Sequence, residues 1–203
     1  DARIADVRVA DADGRFATLT ADAYVVAMGS FSPPLLAPLG VRLPVYPAKG
    51  YSATLPIADA SCAPSVSLTD DQYKLVFSRL GDRLRVAGTA ELNGYSTDLN
   101  EVRCHALVRR ALELFPGVAD PQSARFWTGL RPATPSNVPL IGRARYANLF
   151  LNTGHGTLGW TEGCGSARAL AELVAGRVPE VDFPFLGVDR TAAARRSPRP
   201  AVA

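Results

Sequence analysis

Three glycines, Gly154, Gly156 and Gly159, stand between a predicted strand at 149–152 and a predicted helix that runs to about Ala175. Glycine lets a backbone approach a ligand closely, and the first N–H groups of a helix have no partner inside the helix. This arrangement suits a phosphate, a carboxylate or an electron-rich ring. The same residues also occur in an ordinary tight turn, and they do not form the complete dinucleotide fingerprint, in which G-x-G-x-x-G is followed by an acidic residue.

Arg131 is the second residue whose type and setting could carry chemistry. It lies between Gly129 and Pro132, where the path of the backbone is narrow and stiff. A guanidinium is a planar fork that binds a carboxylate through two parallel hydrogen bonds, each contributing about 1.5–3 kcal/mol. The alternative for this residue, taken by itself, is an ordinary surface ion pair.

Charge and length limit the other classes of function. The 203 residues carry a net charge of +3, and the segment 189–203 accounts for it with four arginines and one aspartate. We therefore predict a neutral folded body and a disordered basic tail at 189–203, with no nucleic-acid groove. No apolar run approaches the ~18 residues of a membrane span, so we expect no membrane-spanning helix, and we expect no signal peptide.

The cysteines do not indicate a metal site or a disulfide framework. Cys62, Cys104 and Cys164 are odd in number and form no C-x-x-C pair. With only His105 and His155 to join them, we predict no metal site, small apolar roles for the three thiols, and a reducing compartment.

The elements that would position these residues fall into three stretches. Residues 4–19 predict a hairpin that turns at 11–14, and residues 23–30 predict a strand buried on both faces that ends in a turn. Residues 45–127 predict an antiparallel sheet with one helix, which Asn100 caps and which ends near Phe115. The expected apolar stripe of that helix comprises Val102, Ala106, Leu107, Ala111, Leu112 and Leu114, with His105 beside it at the surface.

Four segments, which occur in the same order along the chain as in a known protein family, carry a resemblance to that family. Residues 23–30, 47–52, 126–132 and 152–161 together resemble the C-terminal half of FAD-dependent amino-acid oxidoreductases of the D-amino acid oxidase-like family. The similarity extends to about Leu186, and the string N-T-G-H-G-T-L-G-W-T at 152–161 is its most specific part.

The resemblance implies a mixed α/β fold (α+β mixed). It would combine the C-terminal portion of an FAD-binding Rossmann-like domain with an antiparallel-sheet substrate domain, and it would lack the N-terminal βαβ dinucleotide unit. The implied ranges are strands of the FAD-binding domain at 1–44, the substrate domain at 45–127, a return to the FAD-binding domain at 128–188, and the tail.

The resemblance also implies roles for individual residues. Arg131 would bind the substrate carboxylate, and Tyr51 and Tyr95 are candidates for hydrogen bonds to the substrate. The expected FAD-binding residues are Ala27, Gly29, Gly154, His155, Gly156, Thr157, Leu158, Gly159, Trp160 and Thr161. No general base is needed, His155 would act through its backbone, and Lys49 would be structural.

The implied activity is oxidative deamination of D-amino acids to 2-oxo acids and ammonia, with hydride transfer to N5 of FAD and electrons passing to a quinone or another respiratory acceptor. The implied partners are therefore a small D-amino acid, that acceptor and the missing N-terminal half. The resemblance also implies a cytoplasmic location, and the protein could associate peripherally with the inner face of the plasma membrane. We expect the chain alone to bind FAD weakly and to be inactive.

Two alternatives stay open from the sequence. One is a glycine- or sarcosine-type flavin amine oxidase that uses O2, and the other is a non-catalytic remnant or interaction module. Two departures from the family pattern also need checking. Ser136-Asn137 replaces the usual Asp-Gly, although asparagine tolerates the left-handed conformation, and Glu162 replaces a small residue.

Overall fold

A computed structural model describes residues 2–181 and residue 183. The chain divides into two compact units: a central unit, Pro47–Arg131, and a split unit, Asp1–Tyr46 with Pro132–Ala203. The predicted tail at 189–203 lies outside the described residues.

The regular elements follow one another in this order. The described residues form β1 (Val7–Ala10), β2 (Phe16–Leu19), β3 (Tyr24–Val26), α1 (Ser32–Leu36), β4 (Tyr46–Pro56), β5 (Leu68–Asp70), β6 (Leu75–Leu80), β7 (Arg83–Glu91), α2 (Glu101–Leu114), β8 (Arg125–Ala133), β9 (Leu140–Arg143), β10 (Leu149–Thr153) and α3 (Gly159–Val174). Short 3-10 turns cover Gly29–Phe31, Ala37–Leu39 and Pro121–Ser123.

The predicted hairpin near the start of the chain is confirmed. β1 and β2 pair antiparallel, and Gly14 adopts a left-handed φ of 77° at the turn. The carboxylate of Asp11 accepts hydrogen bonds from the backbone N–H groups of Asp13 and Arg15, which explains why an aspartate begins this turn.

The split unit contains a small three-stranded sheet in the order β3-β10-β9. β3 and β10 are parallel, so their carboxyl ends meet at one edge of the sheet, and β9 runs antiparallel to β10. The prediction that residues 23–30 form a strand buried on both faces was wrong. Val26 is buried but Val25 is 49% exposed, because β3 is an edge strand covered on one face only in this structure.

The central unit is a five-stranded sheet in the order β5-β6-β7-β4-β8, in which β5, β6, β7 and β4 pair antiparallel, with α2 packed on one face. Successive side chains of a strand point to opposite faces. Tyr51, Ala53 and Leu55 of β4 point toward α2 and form the core with it, whereas the residues between them point to the other face. This second face is called the open face below.

Helix α2 begins as predicted, with the Asn100 side chain accepting a hydrogen bond from the Arg103 amide. Its apolar stripe was partly wrong, since Val102 is 81% exposed and Leu114 is also exposed. The residues that contact the sheet are Cys104, Leu107, Val108 and Ala111. The periodicity of the sequence predicted the helix correctly. The first side chain of α2 that points toward the sheet is the Cys104 thiol and not Val102.

The cysteines differ in their surroundings. Cys104 is buried, and burial raises the pKa of its thiol, while Cys62 is half-buried against the same core. Cys164 is exposed on α3, so the expectation of an apolar packing role was wrong for this residue. Among the described residues, no helix has the length and apolar content needed to cross a bilayer.

Candidate functional site

Arg131 lies near the end of β8, next to β4 in the sheet. Its guanidinium rests against the backbone of Gly50: a Cβ added to Gly50 would lie 2.2 Å from both terminal nitrogens. Nη1 of Arg131 donates a hydrogen bond to the carbonyl oxygen of Thr89 on β7 at 2.9 Å. The arginine therefore extends from β8 across β4 to β7 on the open face of the sheet.

The charge of this guanidinium is not neutralised by its own unit. Within residues 47–131, all of which the structure describes, no carboxylate oxygen comes within 4.0 Å of Arg131. Burial lowers the pKa of Arg131, with no opposing contribution from a nearby acid. An arginine stays protonated under these conditions, so the group is a half-buried cation that still has N–H donors to offer an anion.

Gly50 is a site residue to which sequence reasoning gave no role. It was noted only as part of the segment 47–52, although a glycine in the middle of a buried strand signals a close approach of another group. The approaching group is the Arg131 guanidinium, which comes from a residue 81 positions later and could not be located by local pattern.

Tyr51 is not beside Arg131. The tyrosine is 1% exposed, points toward α2, and donates its hydroxyl hydrogen bond to Glu91, whereas Arg131 lies on the open face. That hydrogen bond is the largest contribution that lowers the pKa of Glu91, with Lys49 and Arg103 adding their charges. A substrate contact by Tyr51 stays a prediction.

Lys49 joins this buried cluster. Its side chain is 2% exposed, and Nζ lies 3.5 Å from a Glu91 carboxylate oxygen and donates to the Asp98 carbonyl oxygen at 3.0 Å. Burial acts to lower the pKa of Lys49, but the hydrogen bonds and charges of Tyr51 and Glu91 outweigh it and raise the pKa. The position suits the structural role predicted for Lys49.

Tyr95 lies in the connection between β7 and α2 and is 43% exposed. Hydrogen bonds hold this connection against the sheet, among them one from Lys49 to the Asp98 carbonyl and one from the Thr128 hydroxyl to the Thr97 carbonyl at 2.7 Å. Tyr95 thus lies in a connection that hydrogen bonds hold next to β8. Its role in substrate binding stays a prediction.

The glycine loop of the split unit follows β10 directly. Gly154 has a left-handed φ of 82°, and a Cβ there would lie 2.8 Å from the Thr134 side chain, so this position requires glycine. The amide of Gly156 donates to the Pro132 carbonyl oxygen at 2.9 Å. This hydrogen bond anchors the loop, which leads into α3.

The amino end of α3 presents N–H donors to its surroundings. Leu158 is the N-cap residue and makes no capping hydrogen bond through its side chain. The first-turn amides of Gly159, Trp160 and Thr161 have no acceptor within the helix by its geometry. Leu158 is 52% and Trp160 fully exposed, which leaves the end of this helix open.

The end of β3 reaches the same edge of the small sheet as the glycine loop. The Thr153 hydroxyl donates to the Gly29 carbonyl oxygen at 3.0 Å, and the Ser32 hydroxyl donates to Thr153 at 3.1 Å. Ala27 is exposed and Gly29 half-buried beside this link. The structure therefore brings the predicted FAD-binding residues of both strands together within the split unit.

His155 fastens the loop to α3, because its Nε2 shares a hydrogen bond with the Ser166 hydroxyl at 3.0 Å. Burial lowers the pKa of His155, and the Glu162 carboxylate only partly opposes this. The ring thus makes a hydrogen bond within its own unit, and a role of His155 through its backbone stays a prediction.

The Ser136-Asn137 departure leaves the turn intact. Asn137 adopts a left-handed φ of 58°, as expected for an asparagine that replaces a glycine. Its amide donates to the Thr134 carbonyl, and the Thr134 hydroxyl donates to the Val138 carbonyl. Thr134 is thus fixed where Gly154 packs on it. Glu162 occupies the first turn of α3, where a helix favours an acid.

Comparison with known proteins matches residues 1–173 to the family described as FAD dependent oxidoreductase (DAO). The chain is 66% identical over 183 residues to a D-amino acid dehydrogenase of Dechloromonas aromatica, which covers 90% of this chain and 44% of that protein. It is 56% identical over 185 residues to a D-amino acid dehydrogenase of Methylobacterium radiotolerans, with 91% of this chain and 44% of that protein covered.

Among solved structures, the fold is similar to iminodiacetate oxidase from Chelativorans sp. BNC1, with a TM-score of 0.74 and 26% identity over 89% of this chain and 50% of that one. The chain thus spans less than half the length of the two dehydrogenases that it matches. The family match itself covers most of the chain. The chain therefore belongs to the DAO family of FAD-dependent oxidoreductases.

Proposed function

We propose that this chain supplies the substrate-binding part of an enzyme that oxidatively deaminates D-amino acids to 2-oxo acids and ammonia. The observation that supports this best is Arg131: a half-buried guanidinium, fixed at one nitrogen by Thr89 and without a carboxylate partner in its unit. A substrate carboxylate provides the missing anion through two charge-assisted hydrogen bonds. The 66% identical relative is named a D-amino acid dehydrogenase, which selects the substrate class.

The residues of the split unit fit FAD. The amides at the start of α3 are donors suited to the oxygen-rich edge of a flavin ring, and the left-handed glycines of the loop would let the backbone approach that ring closely. Asn152 adds a buried acceptor, since its Oδ1 has no hydrogen-bond partner among the described residues, and a ribityl hydroxyl would satisfy it. Ala27, Gly29 and residues 154–161 would hold the cofactor.

The chemistry that FAD supplies when bound is acceptance of a hydride from the substrate Cα at N5. The residues of this chain bind and orient the substrate for that transfer. Arg131 fixes the carboxylate, and the connection that carries Tyr95 would offer a hydroxyl to the same ligand. No side chain has to act as a base in this proposal, and His155 would keep its hydrogen bond to Ser166.

The electron acceptor in this proposal is a quinone or another respiratory carrier, which implies a peripheral position at the inner face of the plasma membrane. The alternative is a glycine- or sarcosine-type flavin amine oxidase that uses O2, and one similar solved structure is named an oxidase. Measuring hydrogen peroxide against quinone or dye reduction separates the two. Stoichiometric peroxide would replace the dehydrogenase with an oxidase.

The experiment uses a hybrid enzyme in which this chain replaces the matching region of the Dechloromonas aromatica protein. We expect the hybrid to bind FAD and to oxidise D-alanine. An intact, FAD-loaded hybrid that oxidises no D-amino acid, while the parent protein does, would contradict the proposal and favour a non-catalytic module.

The 203-residue chain alone is expected to bind FAD weakly and to be inactive, because its one G-x-G-x-x-G run, at 154–159, is assigned here to the flavin ring, and no second run remains for the pyrophosphate. The visible spectrum of the purified chain tests this. A stoichiometric flavin band near ~450 nm would contradict it.

A further inference from the structure

We infer that Gly50 and a bulge in β7 form a device that positions Arg131 for the substrate carboxylate. The inference rests on the proposed function, but it concerns how this chain aims the guanidinium. Gly50 and Thr89 are positioning residues, which act through Arg131 and need not touch the substrate.

The pairing of β4 with β7 is interrupted beside Gly50. Lys49 faces Glu91 and Tyr51 faces Gly88, so the single residue Gly50 lies opposite two residues of β7, Thr89 and Ala90. One extra residue in one strand defines a β-bulge, and a bulge disrupts the local ladder and re-aims the groups near it. Here the Thr89 carbonyl accepts a hydrogen bond from the Arg131 side chain.

The bulge carries backbone strain. Thr89 has a φ of 64°, in the left-handed region that a β-branched residue rarely enters. Such a conformation is strained and persists only where the surrounding structure holds it, most often at ligand sites. Among the described non-glycine residues of the central unit, only Lys74 shares a positive φ, and it lies in an exposed turn.

Gly50 completes the device by leaving a path across β4. Arg131 stands on β8 and its acceptor on β7, with β4 between them in the sheet. Any side chain at residue 50 would occupy the position of the guanidinium, because its Cβ would be 2.3 Å from Cζ of Arg131. The absence of a side chain at Gly50 and the position of the Thr89 carbonyl therefore act on the same guanidinium. They fix one edge of the Arg131 guanidinium and leave its other N–H donors for an anion.

The substitution Gly50→Ala separates positioning from charge, since the arginine remains but must move. In the hybrid enzyme we expect KM for D-alanine to rise by about 10- to 100-fold, with kcat changed by less than about threefold, because a misplaced binding group weakens binding more than the later chemistry. Gly165→Ala is the matched control: a Cβ there meets nothing within 4 Å, and the hybrid should keep its KM.

Coupling to Arg131 is the decisive part of the kinetic test. If Gly50 acts through Arg131, adding Gly50→Ala to Arg131→Ala should change kcat/KM by less than about twofold. Equal effects of Gly50→Ala with and without Arg131 would overturn the inference. Should Gly50→Ala alone fail to fold, the double variant, which has no clash, must fold again; failure of both would also overturn it.

A second readout needs neither FAD nor activity. In the 203-residue chain labelled with 15N-arginine, Arg131→Lys identifies the side-chain signal of Arg131. We expect slow rotation of this guanidinium in the unaltered chain and fast, averaged signals after Gly50→Ala. An averaged Arg131 signal in the unaltered chain would refute the positioning device and leave the activity of the hybrid as a separate question.

Discussion

Removing the Arg131 guanidinium should remove most of the binding energy between the enzyme and the substrate carboxylate. One of its N–H groups is used by Thr89, and a bidentate carboxylate would use two others. Two charge-assisted bonds at about 1.5–3 kcal/mol each, less the cost of ordering the substrate, leave about 3–4 kcal/mol. We therefore expect Arg131→Ala in the hybrid enzyme to lower kcat/KM for D-alanine by about two to three orders of magnitude.

The assay is initial-rate dye reduction over a range of D-alanine concentrations, with flavin content measured for each variant. Arg131→Lys keeps the charge but not the planar fork, so it should recover about one order of magnitude of the loss. The loss should appear mainly as a higher KM. A kcat/KM within about threefold of the unaltered hybrid would refute the reasoning, because a bound carboxylate could not then depend on this group.

Two further predictions concern stability and protonation. Thr89→Gly should leave the free energy of unfolding of the chain unchanged or raise it by about 1 kcal/mol, because glycine tolerates the left-handed φ at little cost. The control Thr54→Gly, in an ordinary strand position, should lower the free energy of unfolding by about 1 kcal/mol in the same urea titration. A larger loss of stability at Thr89 than at Thr54 would contradict the assigned strain. His155 should titrate below its ordinary pKa of 6.5, because burial disfavours its charged form. The unfolded chain then binds the proton more readily, so stability should fall as the pH drops below about 6.5 toward the folded-state pKa. NMR titration of the ring measures this pKa, His155→Gln should remove the acid-dependent loss, and a midpoint at or above 6.5 would count against the buried position.

Features governed by neighbouring residues were predictable from the sequence. The hairpin turn at Asp11–Gly14, the Asn100 cap of α2 and the left-handed Asn137 each depend on contacts within about four residues. The capping and turn preferences of these side chains are local properties, so a sequence pattern carries them. The glycine loop and its helix were predicted for the same reason.

Features that depend on distant partners were not predictable. β5 and β9 are three and four residues long and gave no periodic signal. The exposure of Val25 follows from the edge position of β3, and the bulge at Thr89 follows from pairing with Gly50. A single sequence does not show which residue lies across a sheet, so the arginine was identified as a candidate while the residues that hold it were missed.

The central claim is that Arg131 recognises a carboxylate, and the substrate itself can be altered to test it. D-alanine and D-alaninamide differ in the carboxylate only, so their kcat/KM ratio measures its recognition. We predict that the unaltered hybrid enzyme prefers D-alanine by about 100-fold or more, and that Arg131→Ala reduces the ratio to within about tenfold of unity. An Arg131→Ala enzyme that keeps the full preference would show that another group binds the carboxylate, and the assignment of this site would be wrong.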